Sequence, residues 1–351
     1  VQTVPLLVVC LARPEIREVR PVLAEQGRRV AEVVNLEGLD AAATGELAAR
    51  LVGAHSLPAE LLARIPESTE GNPLFVRELM RMLVDDGVIS DASGRWEMVI
   101  DVEAVEVPPT INSLLASRVE RMAPDERRVL ELASVVGSEF PIGAVEAAGD
   151  QSRRELEDAF ERLRRKELIE PTGSYWGDEP VYRFHHVLIR DAAYRRLLKG
   201  ARAELHTAVG EWTERTAASL VGEHEVTIAN HFEQAHLYRH ELDLDDKETK
   251  ALGERAARLF HVAAERALER EDLAAAETLS RRALGCVDDE DEAIAELLLL
   301  GCEAVLGVGN VADGAPLVDR LDAVAGDDAR LRAWVDCFRV QVAVLLSLIH
   351  I

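Results

Sequence analysis

The stretch ERAARLFHVAAERALEREDLAAAETLSRRAL, residues 254–284, decides the architecture. Its apolar residues recur at helical spacing through Leu268, a short polar turn follows at Glu269-Arg270-Glu271, and the same periodicity resumes from Asp272 to Leu284. Two helices joined this closely run antiparallel, and their small alanines sit where the helices would touch. A weaker second pair covers roughly 290–307 and 311–325, and a further helix begins near 328. A spacing near 35 to 40 residues with alanine-rich contacts predicts a TPR-like helical-repeat solenoid. Such an array needs neighbours to cover its faces. The final residues Val344 to Ile351 carry no polar stop, and the chain opens at Val1 inside an apolar run, so the expectation is a fragment of a longer product.

Composition narrows the function classes. The 351 residues are 48% hydrophobic and 30% charged, and aromatics make up only 4%, so the cores must rest on Leu, Val and Ala. A net charge of -24 repels nucleic-acid backbones unless one face is locally basic, and direct nucleic-acid binding by this region is not expected. Cys10, Cys286, Cys302 and Cys337 lie far apart without a C-x-x-C pair, which suggests neither a zinc cluster nor a disulfide framework and favours a reducing, cytoplasmic setting. The apolar run Val4 to Ala12 is too short to span a bilayer and reads as a buried strand ended at Arg13-Pro14; no membrane association is expected.

Upstream of the repeats, a second short run at Ala31 to Leu36 reads as a neighbouring strand, and short helices follow around Leu47 to Val52 and Leu61-Leu62. Phe75, Leu79, Met82 and Leu83 mark a helix stopped by Gly87, and Gly94, Trp96 and Pro108-Pro109 mark a turn or hairpin and then a hinge. In 111–200, helices at Leu114–Met122, Pro124–Leu132, 139–148 and Leu156–Leu163 precede two strands, Leu168-Ile169-Glu170 and Val181 to Phe184. Helices followed by a two-stranded wing describe a winged helix. The Arg-rich third helix carries matching carboxylates, as a solvated, salt-bridged face would.

Three blocks in order match a family: Gly71-Asn72-Pro73-Leu74-Phe75-Val76 with Glu78-Leu79; Leu114-Leu115-Ala116-Ser117-Arg118-Val119 with Leu130-Glu131-Leu132-Ala133-Ser134-Val135-Val136-Gly137; and Tyr182-Arg183-Phe184-His185-His186-Val187-Leu188-Ile189-Arg190-Asp191-Ala192-Ala193-Tyr194. Over about residues 1–285 the chain resembles bacterial signal-transducing, AAA-related (STAND-type) ATPases, found in large LuxR-type transcription regulators and behind adenylate/guanylate cyclase domains. The resemblance implies a mainly α fold divided into 1–36, the C-terminal remnant of an α/β P-loop nucleotide-binding core; 37–110, a helical lid; 111–200, a winged-helix domain; and 201–351, the start of the repeats. Arg13 looks like the sensor arginine that reaches the terminal phosphate, where a guanidinium fork suits phosphate oxygens. Gly71-Asn72-Pro73 looks like the Gly-x-Pro element whose proline packs on adenine, while amides of the helix start stay free for polar partners. Plain helix initiation by Asn72 and Pro73 is the bland alternative. Related ATPases place a histidine at the end of the wing strand to contact the β-phosphate of ADP; His186 fits by spacing, and His185 fits by a one-residue register.

The departures concern catalysis. No G-x-x-x-x-G-K-[ST] loop occurs in the chain, and no acidic residue closes a second apolar strand upstream, so Mg²⁺ and hydrolysis of ATP are expectations for the intact parent only. No G-x-S-x-G or H-E-x-x-H motif occurs either. His224, His231, His236 and His240 with nearby glutamates raise a metal centre, against which a surface position on an amphipathic helix is favoured. The resulting expectation is a switch part that exchanges ADP for ATP, takes protein partners or an inducer through its repeats, and controls an effector domain of the same parent chain. The alternatives are a nucleotide-independent interaction scaffold and a winged-helix DNA-binding transcription factor.

Overall fold

Side chains that start helices set the frame of the molecule. The computed structural model describes residues 9–12, 34–53, 57, 59–92, 95–99, 108–218 and 224–349, which form two compact units divided after Ile111. Residues 9–12 and 34–36 have no regular structure, and Val34 and Leu36 stand exposed, so the strand expected over Ala31–Leu36 is not seen at its described end. The rest of both expected strands, with Arg13, lies outside the described residues.

In the first unit, α1 (Ala41–Leu51) is capped by Asp40, whose carboxylate accepts from Ala43 N at 2.7 Å. It packs on α2 (Ala59–Thr69) and α3 (Pro73–Asp85), and Val88-Ile89 then lead into the antiparallel hairpin β1 (Ile89–Ala92) and β2 (Arg95–Met98). Ala48, Leu61, Ile65, Val76, Leu79, Met80 and Leu83 are fully buried, the stripe that the apolar spacing of α3 announces.

The second unit opens with α4 (Ile111–Glu120) and α5 (Pro124–Val136). Residues 139–148, expected as one helix, divide into β3 (Glu139–Pro141) and α6 (Ile142–Ala148), because Phe140 and Pro141 take extended geometry to pair with Tyr182 and Val181. After α7 (Arg153–Arg165), opened by a Ser152/Glu155 capping box, come β4 (Ile169–Trp176), β5 (Glu179–Phe184) and α8 (Val187–Arg195). The three strands form one antiparallel sheet in the order β3-β5-β4, and Phe140, Phe160, Tyr182 and Phe184 fill the space beneath it with ring centroids 4.8–6.5 Å apart.

Helices α9 (Lys199–Ala217), α10 (Glu225–His240), α11 (Lys247–Glu269), α12 (Leu273–Leu284), α13 (Ile294–Gly307), α14 (Val311–Ala325) and α15 (Ala329–Ile349) follow, each packed on the next. α11 also touches α13, and α13 touches α15, so alternate helices line one side of a helical-repeat array. Ala256, Ala264, Ala276 and Ala283 are buried in it, at the contacts expected for them.

The repeat is visible in its turns. Asp272 N bonds Ala267 O at 2.9 Å and Glu271 N bonds Leu268 O at 2.9 Å; 38 positions on, Asn310 N bonds Val305 O at 3.2 Å and Gly309 N bonds Leu306 O at 3.0 Å. Asp272 and Asn310 then cap α12 and α14 through Ala275 N and Asp313 N. The chain is thus mainly α, with fifteen helices among the described residues.

Candidate functional site

Gly71-Asn72-Pro73 forms the junction between α2 and α3. Glu70 and Gly71 both take positive φ, 49° and 68°, and Gly71 O accepts from Leu39 N at 2.8 Å. A Cβ on Gly71 would lie 2.1 Å from Leu39 O and 2.6 Å from Leu39 N, so only glycine lets the two backbones meet here. Asn72 Oδ1 accepts from Leu74 N at 3.0 Å and Phe75 N at 3.3 Å, and Val76 N bonds Asn72 O at 2.9 Å. Proline has no N–H, so the amides of the first turn are all engaged, unlike the free amides expected for a polar ligand. Pro73 is exposed at the first helical position.

His185 and His186 separate β5 from α8. His186 is the N-cap of α8, its Nδ1 accepting from Leu188 N at 3.1 Å, which places the proton of the neutral ring on Nε2. His185 donates its backbone N–H to Leu168 O at 3.0 Å, and its Nδ1 lies 3.6 Å from Glu170 Oε2. Hydrogen bonding from Arg183 holds the Glu170 carboxyl below the usual range. Both imidazoles are half-buried. Gly71 to Pro73 belong to the first unit and the two histidines to the second.

Sequence reasoning missed a buried polar network in the second unit. His231, expected at the surface, is 6% exposed, as is His206. Their Nδ1 atoms are 2.9 Å apart, His206 Nε2 lies 2.8 Å from Tyr194 Oη, and Tyr194 Oη lies 3.0 Å from Tyr238 Oη. Arg202 donates to Tyr194 O at 3.1 Å and to Tyr238 Oη at 3.4 Å, and its guanidinium sits 4.5 Å over the Tyr194 ring. Arginine only donates, so a proton chain running Arg202, Tyr238, Tyr194, His206, His231 supplies each intermediate group with one donor and one acceptor. Burial, then the neighbouring His231, Arg190 and Arg202, which disfavour a second charge beside them, pushes His206 down to about 3, and burial with Arg190 pushes His231 down to about 4. Both rings are therefore neutral at pH 7. The network ties the end of α8 to α9 and α10.

The array also holds a cavity of about 1200 Å³ between α10, α11, the α12–α13 loop and α13. Asp245, Glu254, Asp288, Glu290, Asp291, Glu292 and Glu296 line it, against Lys250 and Arg258. His236 and His240 also line it, and His236 Nδ1 bonds Thr249 O at 2.9 Å. Cys286 lies in its wall with burial pushing its thiol up to about 12, so it is no nucleophile at neutral pH. Among the described residues, no three His, Cys, Asp or Glu side chains are grouped to hold a metal ion, and no helix is long and apolar enough to cross a membrane.

A family model described as a domain of unknown function (DUF8739) matches residues 41–97, the span from the start of α1 into β2. No curated protein matches the chain. Among solved structures, the chain is similar to a Signal Transduction ATPase with Numerous Domains (STAND) protein with a tetratricopeptide repeat sensor from Pyrococcus horikoshii, at 13% identity and a TM-score of 0.39. That similarity covers 91% of this chain and 46% of the other, so the chain spans less than half the length of that protein.

Proposed function

We propose that the chain forms the sensing and relay part of an ATP/ADP-dependent signal-transduction switch of the STAND type, acting in the cytoplasm on a separate effector. The observation that carries this reading is the position of α8. It starts at His186, the candidate phosphate contact, and near its end Tyr194 enters the buried network with His206 of α9 and Tyr238 of α10, the first helices of the array. A short rigid helix thus links the candidate nucleotide contact to a surface able to receive a partner. Nucleotide exchange and partner arrival bias the same two-state element when each contacts α8 differently in the two states. Arg13 and Pro73 would add contacts to phosphate and base; Mg²⁺ binding and hydrolysis would need a phosphate loop, a motif these 351 residues do not contain.

The order helix, strand, two helices and hairpin, with β3 beside β5, supports a winged-helix module in 111–200 that serves for packing. Trp176 near the hairpin tip lies against Trp212 at 6.5 Å and His224 at 4.6 Å between ring centroids. On α7, Arg153 pairs with Glu146 and Glu179, Arg162 with Asp125 and Glu126, and Arg164 with Glu161. Cations so paired form no basic reading face for DNA.

The test is calorimetric titration of ADP and ATP into the longest natural polypeptide that carries these residues, with Pro73→Ala and His186→Ala variants. Binding that each variant weakens about tenfold, equal to about 1.4 kcal/mol, supports the switch. Absent binding, or binding indifferent to both changes, leaves a nucleotide-independent scaffold as the better account.

A further inference from the structure

The cavity in the array continues into a second, smaller hollow of about 180 Å³ that shares His261 and Glu296 with it and ends at Trp334 and Phe338 of α15. Glu265 and Glu303 add two more carboxylates along this extension, and Arg330 adds one cation. The whole groove crosses α11, α13 and α15, the helices that line one side of the repeats. Nine carboxylates therefore face three fixed cations, and two of those cations are already paired, Lys250 with Asp288 at 3.2 Å and Arg330 with Glu296 at 3.1 Å. Glu254, Glu290, Glu292 and Glu303 have no ion-pair partner among the described residues and are exposed. At the junction of the two hollows His261 Nδ1 is buried without a hydrogen-bond partner. At the far end Trp334 is 44% exposed and stacked on Phe338 with centroids 5.6 Å apart, a flat face open to a cation.

We infer that this groove binds an extended, basic peptide segment of a protein partner, its lysines or arginines meeting the unpaired carboxylates and one cationic side chain lying on Trp334. A path lined by carboxylates from α11, the α12–α13 loop and α13, and ending at Trp334 on α15, matches an extended cationic segment, while nucleic acids and acidic peptides are repelled from it. The inference rests on the proposed role of the array as the receiving part of the switch and names the chemistry of what is received.

The experiment measures fluorescence anisotropy of a labelled decapeptide of alternating lysine and alanine titrated with the full 351-residue chain, without nucleotide. Because the chain carries -24, any basic peptide is attracted to it, so the decisive comparison holds net charge constant. The double variant Glu290→Lys/Glu292→Lys is expected to weaken binding at least tenfold. The double variant Asp178→Lys/Glu204→Lys, placed on exposed positions away from the groove, is expected to change it less than twofold. Trp334→Ala is expected to weaken binding about threefold with unchanged circular dichroism. Equal weakening by both double variants, no binding at all, or peptide insensitivity combined with spermine binding lost in the groove variant each overturns the inference. Failure here leaves the nucleotide titration intact, so the two readings fail separately.

Discussion

The starts of α3 and α8 solve one problem with different chemistry. Both helices leave amides to satisfy, and in both the residue that the family resemblance marks, or its immediate neighbour, does so: Asn72 with a carboxamide oxygen on two amides, His186 with an imidazole nitrogen on one. The α3 start is held by backbone, since Gly71 and Leu39 touch without side chains between them. The α8 start is held by a side-chain imidazole, inside a unit that buries two further imidazoles. Both motif starts are structural in themselves, so substitution alone does not separate capping from the ligand contact that the family resemblance implies.

Acid separates the two units most strongly. His206 and His231 have folded values depressed to about 3 and about 4, below the ordinary 6.5, so folding requires them neutral while the unfolded chain takes up protons. Their contribution is complete above about pH 6.5 and is lost as pH falls toward 4, at up to about 2.7 kcal/mol per pH unit for the pair. We expect the second unit, followed by denaturant unfolding with Trp176, Trp212 and Trp334 as fluorescent reporters, to lose roughly 3 kcal/mol between pH 6.5 and 5. A flat profile over that window would show that the pair is not buried as described. Asn72 does not titrate, so its cap should not contribute to any such loss in the first unit.

The next largest effect tests the backbone-held start. Gly71→Ala forces a side chain into φ 68° and onto Leu39 O, and should destabilise the first unit by about 3 kcal/mol. Asn72→Ala should cost about 1 kcal/mol and Asn72→Asp much less, since aspartate also caps. Hydrogen exchange at Leu74 and Phe75 amides, faster in the alanine variant alone, would locate the loss.

Much of this frame was legible because it is local. The Asn72-Pro73 start, the polar break at Glu269 to Glu271 and the alanine contacts of α11 and α12 depend on residues within a turn of each other, and the repeat follows from them. The histidine network was not legible, because His206 and His231 sit on different helices and meet only once α9 packs on α10. His231 also shares its helix with the exposed Leu237, and that helix has no clear apolar face to declare the inward side. The groove depends on superhelical stacking, which places Glu254, Glu292 and Trp334 along one path although they lie on three helices or loops.

The smallest effect sharpens the comparison furthest. His186→Ala removes both the cap on Leu188 N and the Nε2–H that a phosphate would use, so loss of stability and loss of nucleotide affinity arrive together, the former about 0.5–1 kcal/mol. His186→Asn retains a capping oxygen while withdrawing the imidazole. Its unfolding free energy should return to within about 0.3 kcal/mol of the parent, whereas its ADP affinity should stay as weak as that of His186→Ala. Were Asn to restore both, the histidine would act only by holding the first turn of α8, and the β-phosphate contact would have to be sought at His185, beside Glu170.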